Sequence, residues 1–217
     1  MRSFTEPLTD TERKLVEEGK LLPLMEEYYT LQGEGYNTGK PAYFIRMGGC
    51  DVNCTFCDTK ASWDVRRYPP VPANLIIEHA LHHPARSAVI TGGEPLMNNL
   101  GYLTAGLHDK GFRTFLETSG SHELTGSWDW ICLSPKKKRH PLPGIIDKAG
   151  ELKVVIEKEE DFLWAEEYAV KVNRECILFL QPEWSVKEHI IPVILQYIHD
   201  HPQWRISLQS HKYIGIP

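Results

Sequence analysis

The stretch FIRMGGCDVNCTFCDTKASWD, residues 44–64, runs from an apolar strand candidate through a glycine turn into three cysteines, Cys50, Cys54 and Cys57. Their spacing, C-x3-C-x2-C, offers three thiolates to a metal centre. A closed structural zinc site takes four protein ligands. A cubane iron–sulfur cluster has four irons, each needing one outside ligand, so three cysteines leave one iron open for a further molecule. Gly48 and Gly49 allow the tight backbone turn that joins strand to loop. Cys132 and Cys176 lie inside apolar strand candidates (WICLS and ECILFL) and read as small core hydrophobes, not as a fourth ligand.

The same arrangement, strand then polar or glycine-rich motif, recurs along the chain. Strand candidates are 42–47, 87–90, 113–116, 130–133, 152–156, 177–180 and 205–208, each rich in Val, Ile, Leu or Phe and bounded by turn residues. RMGGC follows the first and TGGEP (91–95) the second. ETSG (117–120), SPKKK (134–138), QPEW (181–184) and QSHK (209–212) follow later ones. Helical patterns lie between several of them, at 73–82, 97–110, 161–172 and 186–200. Gly111 is placed to cap the second, and Pro192 is expected to bend or divide the last. This alternation predicts an α/β fold with a mostly parallel sheet covered on its faces. Ligands of such sheets bind at the carboxyl ends of the strands, so the motifs are expected to converge on one mouth.

Composition narrows the function class. The chain has 217 residues, enough for one domain with a full core, and carries a net charge of −5 with acids and bases interspersed. No basic footprint of a nucleic-acid binder is present; Lys137, Lys138 and Arg139 read as a solvated loop. No apolar run reaches membrane-spanning length, and the N-terminus has no signal-peptide pattern. A cytoplasmic protein without nucleic-acid or membrane partners is expected. Five cysteines, three of them clustered, argue against a disulfide framework. Residues 1–27 read as a leader whose short helix is capped by Thr9 or Asp10, and residues 28–217 as the catalytic domain. His79, His82, His83, His199 and His201 lie away from the strand-end motifs and read as surface residues.

CDVNCTFC followed by TGGEP resembles the radical S-adenosylmethionine (SAM) enzymes. The resemblance implies a partial, modified TIM-type barrel and a 4Fe–4S cluster on Cys50, Cys54 and Cys57. Its open iron takes SAM, which is cleaved to a 5′-deoxyadenosyl radical. The segments YTLQGEG (29–35), FIRMGGC, CDTKASWD and HKYIGIP (211–217) are similar to the 7-carboxy-7-deazaguanine synthases, a match running from about Tyr28 to Pro217. That family converts 6-carboxy-5,6,7,8-tetrahydropterin to 7-carboxy-7-deazaguanine with loss of ammonia, by hydrogen abstraction at C6 and ring contraction, on the way to queuosine and related deazapurines.

Carried over by position, the resemblance implies substrate contacts at Leu31, Gln32, Gly33, Glu34, Arg46, Thr91, His211 and Pro217. Arg46 matches the arginine that grips the substrate carboxylate, and Pro217 would offer its α-carboxylate from a buried chain end. SAM contacts are implied at Phe56, Cys57, Asp58, Gly93, Ser134, Pro135, Lys136 and Gln181, Pro182, Glu183 and Trp184. Glu117 and Ser119 are expected in the same cofactor pocket. Thr59 matches a Mg2+ ligand, a hydroxyl suited to a hard cation. No side chain is assigned as catalytic, because the radical comes from SAM. A homodimer and a flavodoxin- or ferredoxin-type electron donor are further implied. Two readings compete: a glycyl-radical activating enzyme, against which the LQGEG and HKY segments argue, and a non-catalytic iron–sulfur or zinc module, which leaves the strand-end motifs without a purpose.

Overall fold

The computed structural model describes residues 8–217; the first seven residues of the leader lie outside the described residues. In chain order the elements are α1 (Asp10–Glu17), β1 (Leu21–Leu22), β2 (Leu24–Leu31), β3 (Pro41–Met47), β4 (Val71–Pro72), α2 (Ala73–Leu81), β5 (Ser87–Gly92), α3 (Gly101–Asp109), β6 (Arg113–Thr118), β7 (Trp130–Leu133), α4 (Pro143–Ile146), β8 (Glu151–Ile156), α5 (Asp161–Ala169), β9 (Ile177–Pro182), α6 (Lys187–Asp200), β10 (Trp204–Ile206) and α7 (Ser210–Ile214). Eight strands form one sheet in the order β10-β9-β8-β7-β6-β5-β3-β2, while β1 and β4 pair separately. All neighbours in the large sheet are parallel except β2 and β3. The end strands β2 and β10 are not paired with each other, so the barrel is partial.

The two faces of this sheet differ. Outward-facing residues, including Ile45, Ile90, Leu116, Leu133, Leu152, Val154 and Leu180, are buried with Ile76 and Ala80 of α2, Leu103 and Leu107 of α3, Phe162 of α5 and Ile190 and Ile194 of α6. The inward face carries a register-matched row, Tyr28–Phe44–Val89–Phe115–Trp130, one residue from each of five adjacent strands. Two residues further along each strand the inward positions turn polar: Arg46 pairs with Thr91, and Glu117 with Cys132. The strands therefore alternate as the two-residue period of a pleated strand requires. The open side is bridged by the segment after β2, where Gly35 N–H donates to Ser207 Oγ at 3.0 Å and Ser210 N–H to the Gly33 carbonyl at 2.9 Å.

Local chemistry accounts for several departures from the sequence reading. Strand β2 was not anticipated, since LMEEYYTL mixes acids with apolar residues, as an edge strand can. Helix α3 starts at Gly101 and not at 97, because Asn99 Oδ1 accepts the Gly101 N–H at 3.0 Å and Pro95–Met97 form a separate 3-10 turn. Helix α6 runs unbroken through Pro192, which is exposed. On that face water can satisfy the carbonyl left without a donor. Thr9 and Glu12 form a reciprocal capping box at the start of α1, as the sequence implied for that cap.

Leu116, fully buried on a central strand, gives a check on this core. Leu116→Ala should cost about 2–5 kcal/mol in chemical denaturation. A loss below about 1 kcal/mol would contradict the core assignment.

Candidate active site

A cavity of about 570 Å3 opens at the carboxyl ends of the strands. Motifs from β3, β5, β6, β7, β9 and the segment after β10 all reach it, as predicted. Its walls include all three loop cysteines and every anticipated site residue except Pro135, which is buried beside it.

The cluster loop is held from both flanks. Gly49 N–H donates to the Ser62 carbonyl at 2.6 Å, and Cys50 N–H to that of Trp63 at 3.2 Å. On the other flank Lys138 Nζ donates to the Asn53 carbonyl at 2.6 Å, and Arg139 pairs with Asp51. Lys138 and Arg139 thus stitch the loop; they are not merely solvated. Lys137, the third of that run, pairs with Asp161. Asn53 sits at φ 52°, a left-handed conformation that asparagine tolerates. From beneath, β5 approaches as backbone: Gly93 N–H donates to the Met47 carbonyl at 3.0 Å and Glu94 N–H to that of Gly49 at 2.9 Å. A Cβ on Gly93 would lie 2.3 Å from the Gly49 oxygen and 2.7 Å from Cys50 Cβ.

Glu94 itself points down. Its oxygens accept from Leu96 N–H, Thr118 Oγ1 (2.6 Å), Ser119 N–H (2.9 Å) and Ser119 Oγ (2.5 Å). With four donors engaged, it fastens TGGEP to ETSG and is not a ligand group.

The three thiols are free, partly buried and close enough for Cys50 and Cys57 to act electrostatically on Cys54. Burial pushes the Cys54 thiol up, opposed by Lys136. Lys136 Nζ in turn donates to Ser134 Oγ at 2.5 Å and lies over the Phe56 ring. Cys132 and Cys176 are buried in strands, as expected. Three thiols and no fourth at the loop suit a cluster with one open iron. Two buried polar atoms of residues lining the cavity, Trp63 Nε1 and His211 Nδ1, have no hydrogen-bond partner in the protein. Such atoms mark walls that receive a polar ligand.

On the opposite side, Arg46 bonds Glu26 at 2.6 Å and Tyr28 OH at 2.9 Å. Two of its five N–H groups are so used, leaving three for an anion. Glu34 and Glu117 both bond Lys153 Nζ, at 2.6 and 2.9 Å. Burial alone would raise the Glu34 carboxyl, but Lys153 and Gln209 outweigh it and hold it at about 2. Glu117 also accepts from Gln32 Nε2 at 3.0 Å. It therefore sits with Gln32 and Glu34, residues expected at the substrate. It lines the same cavity as Ser134 and Lys136, with its carboxylate bonded to Lys153 and Gln32.

Glu117, Cys132 and Glu151 bring potential metal-ligand atoms within 4.8 Å of one another. The Lys153 ammonium already supplies the positive charge there, so this group reads as an ion network and not a cation site. Burial and the Glu117 charge push Glu151 up, and it accepts the Tyr36 N–H at 2.8 Å. Pro217 lines the cavity but is exposed, contrary to the buried chain end expected. Helix α7 is capped by Gly215 (φ 68°), and the Ile216 N–H returns to the His211 carbonyl, which turns the tail along the rim. Sequence reasoning missed Lys153, which reads as one polar residue in the apolar run ELKVVI. The remaining histidines are more engaged than expected: His79 bonds Glu27, His83 stacks on Tyr29 and Tyr43, and His201 stacks on Tyr197.

Comparison with known proteins bears on this geometry. Residues 44–131 match the Radical SAM superfamily. The 7-carboxy-7-deazaguanine synthase of Flavobacterium psychrophilum is 52% identical over 202 residues, covering 93% of this chain and 96% of that protein. The chain belongs to the 7-carboxy-7-deazaguanine synthase family. The Synechocystis member is 46% identical over 194 residues, covering 89% of this chain and 93% of its own. The crystal structure of QueE from Escherichia coli superposes with a TM-score of 0.79 at 30% identity, covering 94% of this chain and all of that one. The protein is thus a radical SAM lyase that uses a 4Fe–4S cluster and SAM. It converts 6-carboxy-5,6,7,8-tetrahydropterin to 7-carboxy-7-deazaguanine, and the glycyl-radical and non-catalytic readings are not favoured.

The close approach at Gly93 yields a test. Gly93→Ala should lose bound iron and cluster absorbance after anaerobic reconstitution. Gly144→Ala, where a Cβ meets nothing within 4 Å, should retain both. Full cluster occupancy in Gly93→Ala would contradict the packing described.

Proposed function

We propose that the cavity holds the pterin between Arg46 on one wall and the Glu34–Lys153–Glu117 network on the other. The observation that carries this is Arg46, a residue lining the cavity, fixed by Glu26 and Tyr28 yet with three guanidinium N–H groups unused. A planar guanidinium grips a carboxylate through two parallel bonds. Glu34, held ionised, accepts N–H groups of the aminopyrimidinone edge. Gln32, Leu31, Gly33 and Thr91 border the ring, and Glu117 joins this side. Burial holds the His211 imidazole below its ordinary value, so it meets the substrate neutral. Pro217 borders the cavity at its rim.

When bound, the cluster and SAM supply the radical that abstracts hydrogen from C6. The chain's own task is placement. Cys50, Cys54 and Cys57 hold the cluster, and Gly93 keeps the β5 loop against it. Phe56, Asp58, Ser119, Ser134, Lys136 and residues 181–184 line the SAM side, with Pro135 shaping its loop from behind. Thr59, whose hydroxyl lies 3.2 Å from Asp58 Oδ1, offers oxygen to Mg2+. Residues 28–217 act as the catalytic domain, following the leader of residues 1–27. The protein works in the cytoplasm as a homodimer and receives its electron from a flavodoxin- or ferredoxin-type donor. Among the described residues no helix is long and apolar enough to cross a membrane.

The test is anaerobic turnover of the reconstituted protein with SAM, reductant and the carboxy-tetrahydropterin, followed by mass and absorbance. The deazapurine is expected. Arg46→Ala should raise KM roughly 10–150-fold, as loss of a charged hydrogen-bonded contact of about 1.5–3 kcal/mol implies. SAM cleavage without the deazapurine, or an unchanged KM in Arg46→Ala, would contradict the proposal.

A further inference from the structure

Lys153 is the most confined cation at this site. It projects from the centre of β8, is 4% exposed, and receives carboxylates from two distant elements: Glu34 from the loop after β2 and Glu117 from the end of β6. Each carboxylate is held at both oxygens. Glu34 Oε2 faces the ammonium, and Oε1 accepts from Gln209 Nε2 at 2.8 Å. Glu117 Oε2 faces the ammonium, and Oε1 accepts from Gln32 Nε2 at 3.0 Å. Two-point attachment fixes the plane of each carboxyl group as well as its position. Both acids line the cavity.

We propose that Lys153 is a positioning residue, whose ammonium locks Glu34 and Glu117 as a matched pair of ionised acceptors for the N–H edge of the substrate's aminopyrimidinone ring. This rests on the reading that Glu34 and Glu117 face the substrate.

The chemistry of that edge sets the requirement. An exocyclic amine and an adjacent ring N–H present donors side by side. An ionised carboxylate accepts both, whereas a neutral carboxyl turns an O–H toward a donor. Two carboxylates in one pocket repel, and without a counter-charge one of them takes up a proton. Lys153 removes that conflict.

The surrounding charges are as follows. Glu34 faces Lys153, His211 and Asp58; Lys153 faces Glu34, Glu117, Glu151 and Cys132, with Lys136 beyond. Burial lowers the Lys153 ammonium, but the surrounding carboxylates outweigh it and raise it well above its ordinary value. Burial and the Glu117 charge push the Glu151 carboxyl up. The ammonium thus stands between the Glu34 and Glu117 carboxylates, and Glu34 is held well below the usual carboxylate range.

Lys153→Met and Lys153→Arg, reconstituted with cluster and SAM, test this through KM and kcat between about pH 6 and 9. Iron content and cluster absorbance serve as the measure of an intact protein. In Lys153→Met, KM should rise about tenfold or more at neutral pH, with kcat changing less. KM should also become pH-dependent, falling as pH rises and the freed carboxyl ionises. The wild type should be flat on this limb, and Lys153→Arg should restore the flat profile. A cluster-loaded Lys153→Met with a wild-type, pH-independent KM would overturn the proposal.

If Lys153→Met fails to fold, the double variant Lys153→Met/Glu117→Gln removes one charge of each sign and takes its place. There Glu34 stays buried without its ammonium, and burial alone raises its carboxyl, so a KM that falls as pH rises is expected there and not in Glu117→Gln alone; a flat profile in the double variant would overturn the proposal. Glu34→Gln separates the two readings. If it raises KM while Lys153→Met does not, the positioning role fails. If it leaves KM unchanged, the underlying placement of the substrate fails.

Discussion

The constraint on which the rest of the site depends is the backbone contact between the β3 and β5 loops. Gly93 and Glu94 donate to the Met47 and Gly49 carbonyls across a gap with no room for a side-chain carbon. That contact sets where the cysteine loop stands relative to the sheet. Glu94 passes the constraint on to β6 through Thr118 and Ser119. Lys153 ties β6 to β8 and to the bridging loop through Glu117 and Glu34. Parallel strands alone bring motifs to one edge; these ties fix the distances between them.

The inner face of the sheet divides the work by depth. A row of aromatic and aliphatic residues, Tyr28 to Trp130, forms a largely apolar floor. One side-chain step nearer the mouth stand Arg46, Thr91, Glu117 and Cys132. Charges at that level act across a partly desolvated space, where opposite pairs are stronger than in water and unpaired ones are costly. Each charge there accordingly has a fixed partner: Arg46 with Glu26, and Glu34 and Glu117 with Lys153. A flat, polar-edged substrate meets an arrangement already oriented, which is how binding geometry lowers the barrier to a radical step at a single carbon.

The features legible in the sequence were those carried by local spacing. Three cysteines within eight residues announce their chemistry without a fold, and the strand-then-motif rhythm announces the sheet and its active edge. Glu94 was legible only as part of the TGGEP turn; its role as the tie to ETSG comes from its four donors. Lys153 was not legible, because its partners lie on β6 and on the loop after β2, and a single lysine in ELKVVI looks like a solvent-facing position. Glu117 was legible as a residue of the cavity, but its bonds to Lys153 and Gln32, which come from distant elements, were not. The exposed rim position of Pro217 depends on the left-handed Gly215 that turns the tail, a three-dimensional detail with no signature in HKYIGIP.

The most direct test is an anaerobic crystal structure of the reconstituted protein with SAM and the carboxy-tetrahydropterin. The account predicts a cluster on Cys50, Cys54 and Cys57, SAM against Gly93 and Ser134, the pterin carboxylate on Arg46 and its aminopyrimidinone edge on Glu34 and Glu117. A pterin bound with that edge away from these two carboxylates, or with its carboxylate away from Arg46, would contradict it.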